Sequence, residues 1–279
     1  MNNSRDVVVV IGAGGIGQAI ARRQGAGKCV LLGDFNENTL RAAADALEAA
    51  GYQVETHHVD VASHDSVRAL ADRAAQLGSV VQVVHTAGVS PVQASAARAL
   101  AVDLVGTAFV LEEFGRVIAP GGAGIVISSM AGYMPDPLDP SHAAALAHTP
   151  ADELLQLPFL SAEAVPSSGA AYALAKRANH LRVQAAAVVW GDRRARVNSI
   201  SPGIIITPLA QDEMSGPGAA GYRRMIETSA AGRVGTTDEV ATVAAFLLGS
   251  EASFITGSDL LMDGGVIAAL RAGRLSLNV

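Results

Sequence analysis

The junction between a short apolar run and a glycine-rich turn constrains this chain more than any other feature. Val7–Ile11 is a run of β-branched residues without a charge, which is typical of a fully buried strand. The next residues read Gly12-Ala13-Gly14-Gly15-Ile16-Gly17, a G-x-G-x-x-G pattern, and a helical pattern begins at Gly15. Strand, tight glycine turn and helix in this order are typical of the first βαβ unit of a doubly wound parallel sheet.

Short β-branched runs alternate with longer alanine-rich stretches along most of the chain. We predict strands at Val7–Ile11, Cys29–Leu32, Val54–Val59, Val80–Val84, Gly124–Ser128, Val197–Ile200 and Leu260–Met262. Helical patterns fill the first three gaps, at Gly15–Gln24, Thr39–Ala50 and Ser63–Leu77. Strands separated by helices of this length imply right-handed crossovers. The prediction is an α/β fold, with one Rossmann-type doubly wound parallel sheet, helices on both faces, and a single domain over residues 1–279.

Composition argues against several other classes of protein. Half of the 279 residues are hydrophobic but only 4% are aromatic, which suits parallel strands packed between alanine-rich helices. The net charge of -6 and the lack of a basic run give no basis for binding nucleic acid. Cys29 is the single cysteine and no H-E-x-x-H or C-x-x-C pattern occurs, so we expect neither an intrachain disulfide nor a metal site. No apolar run has the length of a membrane span, and we expect a cytoplasmic protein.

The glycine turn has a specific chemical use. Gly12 permits the tight turn, and Gly17 lets the helix pack closely against the strand. Gly14 and Gly15, followed by Ile16, leave backbone room for a pyrophosphate at the helix N-terminus, where free amides and the helix dipole favour anions. The pattern therefore predicts a dinucleotide site. A glycine-rich turn with a purely structural role has the same sequence and is the alternative.

The ends of the next three strands supply candidate contacts to such a dinucleotide. Asp34 ends the second strand, where a carboxylate accepts hydrogen bonds from both adenosine ribose hydroxyls and repels a 2′-phosphate. Phe35 follows it, and neither neighbour of Asp34 is an arginine that would welcome that phosphate. Asp60-Val61 ends the third strand, where it caps the next helix or contacts adenine, and the small pair Ala87-Gly88 follows the fourth. These residues favour NAD, unless Asp34 is an ordinary turn residue.

Tyr172 and Lys176 are four residues apart in a helical pattern, so they share one helix face. A free tyrosine has a pKa near 10, which is too high for a base at neutral pH, and a nearby ammonium lowers it. Tyr172 is therefore a candidate for giving or taking a proton. The alternative is an ordinary surface pair on an amphipathic helix.

Many of these residues occur in the order and context of one known family. They are the glycine turn, Asp34, Asp60, His85-Thr86-Ala87-Gly88, Ile127-Ser128-Ser129, Tyr172 with Lys176, the run 196–203, Thr207-Pro208, Gly232-Arg233-Val234-Gly235 and Met262-Asp263-Gly264-Gly265. From Val7 to about Gly265, the sequence resembles the short-chain dehydrogenase/reductase family.

The resemblance implies roles for individual residues. Ser129 would hydrogen-bond the substrate oxygen, with Ser128 as the competing serine. Tyr172 would be the acid/base, and Lys176 would lower the pKa of Tyr172 and bind the nicotinamide ribose. The nicotinamide itself would lie against a segment that contains Pro202, Gly203, Ile205 and Thr207.

The chain departs from the family pattern in three places. Ile11 stands where a threonine is usual, and His85-Thr86 replaces two asparagines. Asp103 replaces the asparagine of an N-x-x-G pattern, which links the lysine to a chain of water molecules. An ionised aspartate accepts the same hydrogen bonds and also stabilises the charge of Lys176. We predict that Asp103 keeps the relay role; the alternative is a helix residue with no catalytic part.

The segment between Ser129 and Tyr172 is about thirty residues longer than the family's usual spacing, and such long segments in compact domains are often functional. A similar insertion occurs in a subgroup that resembles bacterial 3α-hydroxysteroid dehydrogenase/carbonyl reductase. We expect an inserted, lid-like segment at about 133–168, with short helices at Ala143–Ala147 and Ala151–Leu157. It would select an apolar substrate through Leu154, Leu155, Leu157, Phe159 and Leu160. An oligomer contact without a substrate role is the alternative.

The chain continues after Gly265 as a tail longer than the fold requires. Leu270, Leu275 and Leu277 are candidates for contact with a neighbouring subunit. The resemblance implies a homodimer or homotetramer.

The residues and the resemblance together predict an oxidoreductase that transfers a hydride between NAD(H) and a secondary alcohol or ketone, with an apolar or steroid-like substrate. A 3-oxoacyl-thioester reductase is an alternative, although such reductases usually take NADPH. A non-catalytic NAD-binding sensor or scaffold is a second alternative, and it is disfavoured because such proteins typically lose the tyrosine or the lysine.

Overall fold

The computed structural model describes residues 5–92, 94–134, 137–216 and 218–276. In these residues seven strands form one parallel sheet in the order β3-β2-β1-β4-β5-β6-β7. The strands are β1 Asp6–Ile11, β2 Cys29–Asp34, β3 Gln53–His58, β4 Ser79–His85, β5 Ile118–Ile127, β6 Arg196–Pro202 and β7 Asp259–Met262. The predicted doubly wound fold is confirmed.

Helices cover both faces of this sheet. They are α1 Gly15–Gln24, α2 Glu37–Glu48, α3 His64–Leu77, α4 Ala96–Ala99, α5 Thr107–Val117, α6 Pro140–His148, α7 Ser168–Gly191, α8 Pro208–Ser215, α9 Ala219–Thr228, α10 Thr237–Leu248 and α11 Val266–Arg271. Because successive side chains of a strand point to opposite faces, Val7 and Val9 pack into the core under α3, α5 and α7. Val8 and Val10 pack on the other side, under α1, α2 and α10.

The order of the strands creates a crevice at the carboxyl ends of β1 and β4. The chain leaves β1 toward β2 on one side, and β4 adds on the other side, so the following loops diverge there. The two strand ends are linked by backbone bonds: the amides of Thr86 and Ala87 both donate to Ile11 O, at 2.7 Å and 2.9 Å. In doubly wound sheets, ligands bind at such a switch point.

A π-helical stretch, Leu100–Gly106, joins α4 to α5. Ser95 caps α4 by accepting a hydrogen bond from Arg98 N. The turns of a π-helix are wider than those of an α-helix; they are rare, and those that occur are frequently found at functional sites. Here the wide turn contains Asp103, whose side chain is fully buried.

The long segment before α7 packs against the outside of α5 and α7. It contains α6 and two 3₁₀ turns, Ala151–Gln156 and Pro158–Leu160. Leu146 and Leu154 are fully buried and belong to the same core as the sheet. Arg182 of α7 holds the segment, because its guanidinium donates to Thr149 O and to Glu112 Oε1.

Within the described residues, no helix is both long enough and apolar enough to cross a membrane.

Candidate active site

The glycine turn after β1 combines two positions that allow no side chain with one that is open. Gly12 has a φ of +101°, and a Cβ there would lie 2.5 Å from Thr86 Oγ1. A Cβ at Gly17 would lie 1.9 Å from Gly12 O. Gly14, in contrast, has no heavy atom within 4 Å of its Cβ position. Packing therefore requires glycine at 12 and 17, whereas the open space beside Gly14 suits a bound phosphate group at the start of α1.

The predicted adenosine contacts surround one small cavity of about 140 Å³, lined among others by Asp34, Phe35, Asp60, Val61, Ala87 and Gly88. Asp34 is held in place by two backbone amides. Ala13 N donates to its Oδ2 at 2.7 Å and Asn36 N donates to its Oδ1 at 2.8 Å. The carboxylate thus faces the turn with a fixed orientation, which suits recognition of ribose hydroxyls.

Sequence reasoning missed Arg98, which also lines this cavity. Its Nη2 lies 3.5 Å from Asp60 Oδ1, and its guanidinium carbon lies 5.7 Å from the centroid of the Phe35 ring. No motif signals this arginine, because only the packing of α4 brings it beside β2 and β3. Its charge is already matched by the carboxylate of Asp60.

A larger cavity of about 360 Å³ lies at the other end of the crevice. Ten residues predicted to bind cofactor or to act in catalysis line it: Ile16, Gly88, Asp103, Ser129, Tyr172, Lys176, Pro202, Gly203, Ile205 and Thr207. The position of Gly15 connects the glycine turn to this cavity, since a Cβ there would contact Thr207 Cγ2 at 3.7 Å. The two predicted halves of a dinucleotide site are therefore continuous.

Lys176 forms a buried ion pair with Asp103. Nζ lies 3.1 Å from Asp103 Oδ1, and the two side chains are 6% and 0% exposed. Nζ also lies 5.3 Å from the centroid of the Tyr172 ring. Burial lowers the pKa of Lys176, but its attraction to Asp103 and Tyr172 and its hydrogen bond to Asp103 outweigh burial, so that pKa lies above its ordinary value. Lys176 is therefore a stable cation beside Tyr172.

His85 stands where the family pattern has an asparagine, and it does not add charge to this site. Burial, with a smaller effect of the Lys176 charge, lowers the pKa of His85 to about 3. The neutral ring contacts Thr107 Oγ1 at 3.1 Å through Nε2. Lys176 therefore remains the cation beside Tyr172 among the described residues of the cavity wall.

The two serines at the end of β5 make different hydrogen bonds. Ser128 Oγ donates its only proton to Lys176 O at 2.9 Å, and this hydrogen bond joins the end of β5 to α7. Ser129 Oγ accepts a hydrogen bond from Ala131 N at 3.1 Å, which leaves the hydroxyl proton available to a ligand. The geometry favours Ser129 over Ser128 as the substrate-binding serine.

The predicted nicotinamide segment approaches its surroundings closely. A Cβ at Gly203 would lie 2.7 Å from Asp263 Cα. Ile205 pairs with Gly235 in an isolated bridge, and Thr207 Oγ1 accepts a hydrogen bond from Ala210 N at 3.1 Å. Gly203 therefore has no room for a side chain, because the backbone of Asp263 lies against it.

The apolar end of the cavity is built from other residues than we expected. Its wall includes Met134, Ala210, Tyr222 and Met225. The residues expected to contact substrate, Leu154, Leu155, Leu157, Phe159 and Leu160, are not on this wall. The physical reason is that Leu154 and Leu160 are buried, and Leu157 and Phe159 partly buried, in the core to which α5 and α7 contribute. Leu155, by contrast, is 49% exposed outside the cavity wall.

The tail also differs from expectation. Leu275 is 3% exposed and packs, together with Leu270, in a small cluster of its own subunit that includes Met130 and Ile204. Leu275 is thus not available to a neighbouring subunit. Leu277 lies outside the described residues.

Two family models match this chain. The first, described as short chain dehydrogenase, matches residues 6–147. The second, described as enoyl-(acyl carrier protein) reductase, matches residues 141–267.

Similar proteins cover nearly all of the chain. The short-chain dehydrogenase/reductase bsc3 of Alternaria brassicicola is 46% identical over 268 residues, which are 96% of this chain and 97% of that protein. The cis-4-hydroxycyclohexanecarboxylate dehydrogenase of Sinomonas cyclohexanicum is 31% identical, over 95% of this chain and 97% of that protein. A solved structure of a short-chain type dehydrogenase/reductase from Mycobacterium ulcerans superimposes with a TM-score of 0.74 at 26% identity, over 95% of this chain and 90% of that one.

Proposed function

The chain belongs to the short-chain dehydrogenase/reductase family, and from that premise we propose that it interconverts a secondary alcohol and a ketone with NAD(H) as cofactor. The observation that carries this proposal is the pairing of a buried, charged Lys176 with Tyr172 in a cavity that adjoins the glycine turn.

The residues of the crevice fit a nicotinamide dinucleotide. The open backbone at Gly14 would receive the pyrophosphate, and Asp34 would accept hydrogen bonds from the adenosine ribose. Pro202, Gly203 and Thr207 would hold the nicotinamide. When bound, the nicotinamide takes or gives the hydride. The fixed carboxylate of Asp34 repels a 2′-phosphate, which favours NAD over NADP.

Tyr172 is the proton donor and acceptor in this proposal. During oxidation its phenolate takes the proton of the substrate hydroxyl, and during reduction its phenol returns a proton to the carbonyl oxygen. Lys176 stabilises the phenolate by its charge, and the ion pair with Asp103 keeps that charge in place. Ser129 donates its free hydroxyl proton to the same substrate oxygen and so orients it.

The wall of the cavity favours a neutral, apolar substrate. Among the described residues that line it, Lys176 is the only cation, and its charge is matched by Asp103. Three methionines, Met130, Met134 and Met225, line the cavity with adaptable apolar side chains. The Sinomonas relative is named for a cyclic alcohol with a carboxylate. We propose a cyclic or steroid-like alcohol without such a charge, because an anionic group would find no free cation on this wall.

Reduction of a 3-oxoacyl thioester is the second candidate. The family model over residues 141–267 is described as an enoyl-(acyl carrier protein) reductase, which shares the acyl-thioester class of substrate but reduces a carbon–carbon double bond. A substrate panel separates the two proposals. It contains cyclohexanol, 4-hydroxycyclohexanecarboxylate, a 3-hydroxysteroid and an acetoacetyl thioester, each measured by NADH or NADPH absorbance. We expect turnover of the neutral cyclic alcohols with NAD. A preference for the thioester with NADPH would contradict the proposal.

The variant Tyr172→Phe tests the acid/base directly. We expect kcat to fall by about a thousandfold, in the middle of the range for loss of a general acid/base, while NADH still binds. Loss of NADH binding together with turnover would show that Tyr172 is needed for the cofactor site rather than for proton transfer.

Light scattering of the same samples tests the expected homodimer or homotetramer.

A further inference from the structure

A cluster of hydrogen-bonded polar side chains adjoins the turn that follows Ser129. Ser199, Ser201 and His180 in it are buried, whereas Tyr133 and Asp259 are partly buried. Its centre is Asp259 at the start of β7. The carboxylate accepts hydrogen bonds from Ser199 Oγ at 2.6 Å, Ser201 Oγ at 2.9 Å and Tyr133 OH at 2.6 Å. Polar groups are costly to bury unless each one is satisfied, so these bonds define one arrangement of the cluster.

His180 extends the cluster to the catalytic helix α7. Its Nε2 lies 2.9 Å from Ser201 Oγ and 3.2 Å from Ser128 Oγ. Because Ser201 donates its single proton to Asp259, it can only accept from His180, so Nε2 carries the ring proton. Burial lowers the pKa of His180, and the ring is therefore neutral at pH 7. Ser128 completes the connection by donating to Lys176 O.

Tyr133 connects this cluster to Ser129 through a single 3₁₀ turn. Ser129 stands at the start of the turn and accepts the hydrogen bond of Ala131 N, and Tyr133 is its last residue. The middle of the turn lies on α7, since a Cβ at Gly132 would be 2.9 Å from the carbonyl carbon of Lys176. Ser129 and Tyr133 are thus the two ends of one short, closely packed unit.

The surroundings keep the Tyr133 phenol as a permanent donor. Burial, together with the hydrogen bond to Asp259, raises the pKa of Tyr133 above its ordinary value. Two arginines lie near the turn and act in the opposite direction, but more weakly: Arg177 Nη1 donates to Gly132 O at 3.3 Å, and the Arg271 guanidinium lies 5.8 Å from the Tyr133 ring centroid. The bond from Tyr133 to Asp259 therefore persists over the pH range in which the enzyme would work.

We propose that Tyr133 and Asp259 are positioning residues for Ser129. Their hydrogen bond anchors the turn that directs the Ser129 hydroxyl into the cavity, and neither side chain lies on the cavity wall. The inference rests on the proposed function, in which Ser129 orients the substrate oxygen. Loss of the anchor would let Ser129 move, and a displacement of about 1 Å from the productive geometry costs about a hundredfold in rate.

A double-mutant cycle tests this coupling. We expect Tyr133→Phe to lower kcat about 10–100-fold in the wild-type background but less than about threefold in a Ser129→Ala background, with the KM for NAD unchanged in both. Tyr52→Phe is the matched control, because Tyr52 OH donates to Arg22 O far from the cavity, and it should leave kcat unchanged. Equal losses with and without the Ser129 hydroxyl would overturn the proposal, since Tyr133 would then act on the fold in general.

A second measurement needs no turnover. The Ala131 amide donates to Ser129 Oγ, so its hydrogen exchange reports whether Ser129 is held in place. We expect Tyr133→Phe and Asp259→Asn each to accelerate this exchange at least about tenfold relative to wild type and to Tyr52→Phe. If the wild type oxidises no alcohol, the proposed function is refuted. The positioning role of Tyr133 and Asp259 is then judged from the exchange rate of the Ala131 amide alone. An unchanged exchange rate in both variants would overturn the positioning role.

Discussion

Replacing Asp103 by asparagine tests whether a buried carboxylate controls the proton affinity of Tyr172. Lys176 Nζ lies 3.1 Å from Asp103 Oδ1 and 5.3 Å from the Tyr172 ring centroid. The carboxylate oxygen is therefore at most about 8 Å from the ring, where two unit charges interact by about 2 kcal/mol at an effective dielectric constant of about 20. An interaction of this size shifts the midpoint of a titration by about 1.5 pH units.

The sign follows from the charges. Ionised Asp103 repels a phenolate, so its removal makes the phenolate easier to form. At the same time, Lys176 loses the partner that opposes the effect of burial on its pKa, and this offsets part of the gain. We expect the acidic limb of the pH profile of kcat/KM for alcohol oxidation to move to lower pH by about one unit in Asp103→Asn, with substantial activity retained.

The exposed Asp45 on α2 provides the matched control, because Asp45→Asn removes the same charge far from the site. Its profile should coincide with that of the wild type. An unchanged or raised midpoint in Asp103→Asn would refute the electrostatic reasoning, and a fall of several orders of magnitude in activity would refute the relay role. The variant should also unfold at a lower temperature, since breaking a buried ion pair costs up to about 3–5 kcal/mol.

Four further predictions concern the cofactor turn, the insert and pH. Asp34→Asn should raise the ratio of kcat/KM for NADP to that for NAD at least about tenfold, because the repulsion of a 2′-phosphate is removed; an unchanged ratio would contradict the NAD assignment. Gly14→Ala should keep the wild-type Tm but weaken NADH binding, as followed by fluorescence, whereas Gly17→Ala should destabilise the fold itself, since its Cβ has no room. Leu154→Ala should destabilise the protein by about 2–5 kcal/mol and lower Tm by roughly 3–9 °C in calorimetry. Its KM for cyclohexanol should not change, and a changed KM would indicate that the insert reaches the substrate. Burial lowers the pKa of His64, but its hydrogen bonds to two carboxylates outweigh burial and raise it, so its contribution to stability is full below about pH 6.5 and is lost as pH rises through the folded pKa. The Tm difference between wild type and His64→Asn should accordingly shrink from about pH 6 to pH 9, and a constant difference would contradict this role.

Features that depend on neighbours in the chain were predictable from the sequence. The strand Val7–Ile11 and the turn that follows it are both local patterns, and the structure has them where they were predicted. The spacing of Tyr172 and Lys176 places both on one face of α7 in the same way. Asp34 ends β2 because the apolar run stops there. In each case, backbone geometry and side-chain period determine the result before any tertiary contact forms.

Contacts between distant parts of the chain were decided by the tertiary structure alone. The direct ion pair of Asp103 with Lys176 requires the π-helical stretch before α5 to pack against α7. The bond from Tyr133 to Asp259 joins residues that no periodicity relates.

The insert shows the same limit most clearly. Its apolar residues indicated burial, and Leu154 is indeed buried, but the sequence did not specify which surface would cover it. The hydrophobic effect is not directional, so an apolar run predicts that it will be covered, and only the packing of α5 and α7 determines where.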